Sequence, residues 1–144
     1  MVIWGHKELA AFDIWSIAHF LSGISFGVLL CTRMSSAVVN LPKRDLYRYH
    51  FYRLLFFTYL WEVVEHYLEV GLLGDKVAYW FHGVEYWSNR IITDPILVVL
   101  GYVIVYRFPK IGWPARILSI VFLFFHVVIF PHSMYLHVLA SGSK

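Results

Sequence analysis

The run from Ile14 to Thr32 constrains this chain more than any other stretch, because its nineteen residues contain no Asp, Glu, Lys or Arg between Asp13 and Arg33. As a helix it rises about 28 Å, close to the roughly 30 Å hydrocarbon thickness of a bilayer. At that depth no water is present to satisfy backbone amides, so the segment must close its own hydrogen bonds, and a helix does so. Composition points the same way: of 144 residues 60% are apolar, 19% aromatic and 15% charged, and the mean hydropathy is +0.65. An ordinary soluble domain of this size is excluded. The net charge of +3 does not indicate nucleic acid, since the basic residues sit between apolar runs and do not cover a face. The single cysteine, Cys31, allows no intrachain disulfide. No basic region and small-residue cleavage site frame the first apolar run, so it is expected to stay in the mature protein.

The expected fold class is an all-α integral membrane protein, a four-transmembrane-helix bundle with interfacial segments, forming one domain over residues 1–144. Its spans are placed at about 13–32, 53–70, 87–107 and 116–140. In the first, His19, Gly23 and Gly27 recur every four residues beside Ser22 and Ser25, a small-residue face that lets another helix come close. Residues 33–52, basic and rich in tyrosine after the Pro42 break, suit the headgroup region. Gly71 and Gly74 should end the second span, and the aromatic segment around Tyr79-Trp80-Phe81-His82 should lie over the helix ends. The third span is awkward, because only the twelve residues from Pro95 to Tyr106 are uncharged between Asp94 and Arg107. Either the helix begins near Trp87 and carries Arg90 and Asp94 inward as a pair, or Asp94 caps a helix that starts at Pro95. The fourth is interrupted by His126, His132 and His137 and should kink at Pro131.

Chemistry concentrates in Trp61-Glu62-Val63-Val64-Glu65-His66-Tyr67-Leu68-Glu69. Glu62, Glu65, His66 and Glu69 fall at i, i+3, i+4 and i+7, which is one face of a helix. A charged side chain at the bilayer centre costs roughly 2.5–3.5 kcal/mol on insertion scales, so such a stripe requires a partner, a proton or water. Helix packing by protonated or paired carboxylates is the structural explanation, with Arg90 and the histidines as partners. The functional one is a pocket. Eight of the twelve basic residues flank the connections after the first and third spans, which places both termini on the extracytoplasmic side of a cell membrane. Chain direction then puts His19, the acidic stripe, Asn89, Asp94, His132 and His137 at a shared depth.

The pocket is expected to bind or modify a lipid or other amphiphile. Glu62, Glu65 and Asp94 are the catalytic carboxylates of that reading, and Asn89, Arg90 and His19 hold the substrate. A metal-assisted version uses Glu65, His66, Glu69 and His132 to bind a divalent metal, with His19 and His126 as further donors. The spacing differs from di-iron Glu-x-x-His pairs, no His-Glu-x-x-His occurs, and haem between His19 and His126 has no motif. A proton or ion pathway and a non-catalytic accessory subunit of a membrane complex are the alternatives. Besides the lipid bilayer, the partners in view are a second copy of the chain or another membrane subunit.

His19-x-x-Ser22-Gly23, Trp61-Glu62-x-x-Glu65, and Asn89 and Asp94 followed by Gly101 together resemble the VanZ-like group of small polytopic bacterial membrane proteins and related uncharacterised families. The resemblance touches three of the four spans and implies a bacterial membrane origin. It carries an aromatic-plus-glutamate pair and a downstream aspartate onto Glu62, Glu65 and Asp94. His66, Glu69 and the histidine-bearing last span have no counterpart in that pattern.

Overall fold

The computed structural model describes residues 2–32, 41–81 and 83–129. The expectations attached to His82, Pro131, His132 and His137, and to the end of the fourth span, lie outside them. The architecture is all-α apart from one small strand pair. The first helix, α1 (Ile14–Thr32), begins at a reciprocal cap. Asp13 Oδ1 accepts the amides of Trp15 at 2.7 Å and Ser16 at 3.1 Å, and Ser16 Oγ accepts the amide of Asp13 at 3.1 Å. These bonds satisfy amides that the first turn cannot pair internally.

The next helix, α2, runs unbroken over Lys43–Glu69, starting ten residues ahead of the span expected from residue 53. Pro42 stands just before it, and neither Pro nor Gly interrupts the helix, so the interfacial segment and the second span are one rod of about 40 Å. Its inward face is His50, Leu54, Thr58, Glu62 and Glu69, all buried. Past Glu69 the backbone turns through Gly71 in the left-handed region (φ 87°). There the amide of Leu72 bonds back to the Tyr67 carbonyl at 2.9 Å, a glycine-ended helix terminus. A short α3 (Asp75–Phe81) follows.

The third span resolves through a π-turn. Residues Asn89–Thr93 form one wide turn that leads into α4 (Asp94–Arg107), giving a helical run of 19 residues from Asn89. The helix therefore starts ahead of Asp94 and carries Arg90 and Asp94 inward, as the first of the two solutions requires. The two do not pair, however. Pro95 has no amide to offer the Ile91 carbonyl, and Tyr59 Oη of α2 donates to that carbonyl at 3.1 Å. After a 3-10 turn at Pro109–Ile111, α5 (Gly112–Phe124) runs on into a second π-turn at Phe125–Ile129. The amino-terminal lead-in is not a plain tail: β1 (Val2–Trp4) and β2 (Ala10–Phe12) pair in parallel, Val2 opposite Ala10 and Trp4 opposite Phe12.

Glycines set the closest helix contact. A β-carbon on Gly23 of α1 would lie 2.7 Å from the Val98 carbonyl carbon of α4, and one on Gly101 would lie 2.8 Å from the Ile24 amide. Backbone meets backbone there, as the repeat in α1 predicts. Leu21, Ile24, Val105 and Ala115 pack on one side of this contact, and Leu54, Val98 and Tyr102 on the other. Among the described residues, thirteen buried side chains are polar or charged and nine, Pro95 included, are apolar, the inverse of a soluble interior. Outward faces carry Phe56, Phe57, Trp113, Ile117, Ile120 and Phe124, all well exposed. By length and composition, the runs Asn89–Arg107 and Pro109–Ile129 could each cross a membrane.

Candidate functional site

Three helices converge on His19. The imidazole, on the second turn of α1, has Nδ1 3.5 Å from Glu62 Oε1 of α2 and Nε2 3.5 Å from Asp94 Oδ2 of α4. The group is closed to solvent: His19 is 9% exposed, Glu62 2% and Asp94 0%. Neither Glu62 oxygen has a hydrogen-bond partner, and neither does Asp94 Oδ2. The second Asp94 oxygen accepts Ser16 Oγ at 3.3 Å, so the α1 cap also orients this carboxylate.

A second network lies toward the ends of the helices. Glu69 at the close of α2 accepts Lys7 Nζ at 2.6 Å on Oε1, and it accepts Arg90 and the amide of Glu85 on Oε2, the latter at 3.1 Å. Arg90 also meets His66 Nδ1 at 3.1 Å and lies 3.7 Å from Glu85 Oε2. A guanidinium only donates, so His66 accepts on Nδ1. Asn89 joins the two networks, donating to Glu85 Oε1 at 2.8 Å and to Asp13 Oδ2 at 3.4 Å. Burial, and after it the charges of Asp94, Glu65 and Asp13, push the Glu85 carboxyl up to about 10 despite the nearby Arg90.

A cavity of about 1040 Å³ opens beside the deep group. Lys7, His19, Ser22, Arg53, Thr58, Glu65 and His126 are its polar lining, and Trp15, Phe26, Phe57, Trp61 and Leu123 are among its apolar walls. Glu65, half-buried on α2, is the acidic residue that touches it.

The structure redistributes the expected roles. Glu62 and Asp94 meet, as expected, but across His19. Glu65 stands apart on the cavity wall. Asn89 and Arg90 are engaged by Asp13, Glu85, Glu69 and His66 and do not line the cavity, so they are not set out toward a ligand there. The metal set Glu65, His66, Glu69 and His132 does not assemble, because both oxygens of Glu69 hold cations and His66 Nδ1 holds Arg90. His132 lies outside the described residues. Among the described residues, the donors with metal-like spacing are His19, Glu62 and Asp94, whose ligand atoms lie within 4.8 Å of one another. Sequence reasoning missed Lys7, Ser16 and Glu85. Lys7 read as part of a short polar and aromatic lead-in, Glu85 as the i+3 partner of His82 in an exposed pair or a gate over the site, and Ser16 carried no signal beyond its place three residues after Asp13.

No protein-family model, curated protein or solved structure matches the chain.

Proposed function

We propose that the chain is a multi-pass integral membrane protein of the bacterial cell membrane that binds, and acts on, a lipid or other amphiphile. Both termini face outward in this reading. The observation that carries it is the cavity: apolar walls large enough for part of a hydrocarbon chain end on His19 and Glu65, with Glu62 and Asp94 one contact behind. Support for the membrane comes from the polar interior and apolar exterior, and from the two runs long enough to span. Glu65 is the carboxylate that would touch the bound molecule. Glu62 and Asp94 would act through His19, as acid and base or as ligands of a shared ion. The kinship with VanZ-like proteins, resting on Trp61, Glu62, Glu65, Asn89 and Asp94, belongs to the same proposal.

A photoreactive phospholipid incorporated with the protein in vesicles tests this. Ala18 lines the cavity, and Ala18→Trp places an indole in it. Cross-links to cavity residues that vanish in the variant are expected. Labelling confined to outward faces and unchanged by Ala18→Trp refutes the reading.

A proton pathway is favoured by one observation, the row of polar groups running from Glu62 through His19, Asp94, Ser16, Asp13 and Asn89 to Glu85. It requires proton flux in vesicles that Glu62→Gln abolishes.

A further inference from the structure

The charge around His19 does not balance. Asp13, Glu62, Glu65, Glu69, Glu85 and Asp94 lie buried or half-buried in this part of the molecule, with Lys7 and Arg90. Both cations go to Glu69, and Arg90 also reaches toward Glu85. Asp13 is spent on the amides that start α1. That leaves Glu62 and Asp94 facing a single imidazole, with three carboxylate oxygens unpartnered in a closed site. Two buried anionic groups call for two protons or one dication.

We propose that His19, Glu62 and Asp94 bind one first-row divalent metal ion of the Mn²⁺, Fe²⁺ or Zn²⁺ class. This extends the amphiphile reading, and only its catalytic significance rests on that reading. An imidazole among the donors favours these ions over Mg²⁺ and Ca²⁺, which take oxygen ligands. One ring nitrogen binds the ion and the other keeps the proton, which fixes the tautomer. Ser16 holds the back of Asp94, the supporting bond that a ligating carboxylate needs. Metal–ligand lengths of about 2.0–2.2 Å require the donors to draw in from their present spacing. Glu62 is free to do so, since neither of its oxygens is bonded elsewhere. Three ligands from three helices leave coordination positions open, and His19 borders the cavity.

The test uses detergent-purified full chain, stripped with chelator and titrated with Zn²⁺ or Mn²⁺ alone, without amphiphile. Metal per chain is read by elemental analysis and carboxyl protonation by infrared spectroscopy. One ion per chain is expected for the wild type and for Glu65→Gln, with at least tenfold weaker binding in His19→Ala, Glu62→Gln and Asp94→Asn. In the wild type, protonated-carboxyl absorption should fall in step with metal uptake, leaving the Glu85 band in place, a readout independent of whether any variant folds. Protein that stays metal-free, or takes up metal with that absorption unchanged, overturns the proposal. So does undiminished binding by Glu62→Gln. One bound ion in a protein that fails the cross-linking test would sink the amphiphile reading and leave the metal site standing.

Discussion

Gly23→Ala separates tight helix contact from mere proximity, because two effects of opposite sign compete at that position. Mid-helix, replacing Gly by Ala stabilises by roughly 0.5–1 kcal/mol. Against this, the new methyl carbon would sit 2.7 Å from the carbonyl carbon of Val98 and 2.8 Å from its Cα. Carbon pairs rest at about 3.5–4.0 Å, so α1 and α4 must part by close to an ångström. Overpacking of this kind costs about 1–3 kcal/mol, and the upper end applies because the opposing atoms are backbone and cannot swing aside. The net expectation is a loss of about 2 kcal/mol, a fall in Tm of about 8 °C at roughly 4 °C per kcal/mol. His19 stands one turn before Gly23, and Asp94 one turn before Val98. The same separation therefore stretches the 3.5 Å approach of His19 to Asp94 and weakens metal binding with it. Thermal unfolding in detergent followed by far-UV circular dichroism measures the first effect, and the metal titration the second. Gly101→Ala opens the same contact, so the double variant should lose less than the sum of the two. A Gly23→Ala protein that melts higher than the wild type would show helix propensity acting alone and the close contact to be wrong.

Glu69→Gln strands Lys7 and Arg90 in a buried site, and the loss of one partner from such a network costs about 3–5 kcal/mol; a melting temperature near that of wild type would contradict the pairing. Tyr59→Phe removes the donor to the carbonyl freed by Pro95 and should cost about 0.5–1.5 kcal/mol in the same melts. Glu85 supplies a pH dependence. Its folded-state value, about 10, lies above the ordinary 4.5, so its contribution is complete below pH 4.5 and is lost as the pH rises toward 10, while the unfolded chain alone is ionised. Unfolding measured across that window should show stability falling with pH, and Glu85→Gln should flatten the slope; an unchanged slope would place the titration elsewhere.

The helical class and the gathering of His19, Glu62 and Asp94 could be read before any coordinates, because helix periodicity and chain direction fix face and depth. The 3.6-residue repeat put Glu62 on the inward stripe of α2, and the glycine repeat put α1 against a close neighbour. What could not be read was which acid finds which cation. Lys7 lies far from Glu69 along the chain, and nothing local marks it as buried. With Lys7 and Arg90 committed to Glu69, the stripe splits into a paired outer half and a bare inner one, which moves the metal donors from Glu65, His66 and Glu69 to Glu62. The start of the third span was also ambiguous, since a π-turn that shifts the register by one residue leaves no periodic signature of its own. The continuity of α2 through residue 53 was not legible because charge density reads as a break, whereas a helix lacking Pro and Gly carries the exposed Arg44 and Arg48 without interruption.

The parallel strand pair has a bearing on traffic. It folds across the same end of the bundle as the deep carboxylates and is held there by Lys7, whose carbonyl takes the Tyr86 amide at 2.8 Å while its ammonium grips Glu69. With the helices set in a bilayer as proposed, a hydrophobic guest would pass straight from the lipid leaflet to the walls that α1, α2 and α5 give the cavity, and would return the same way without crossing water.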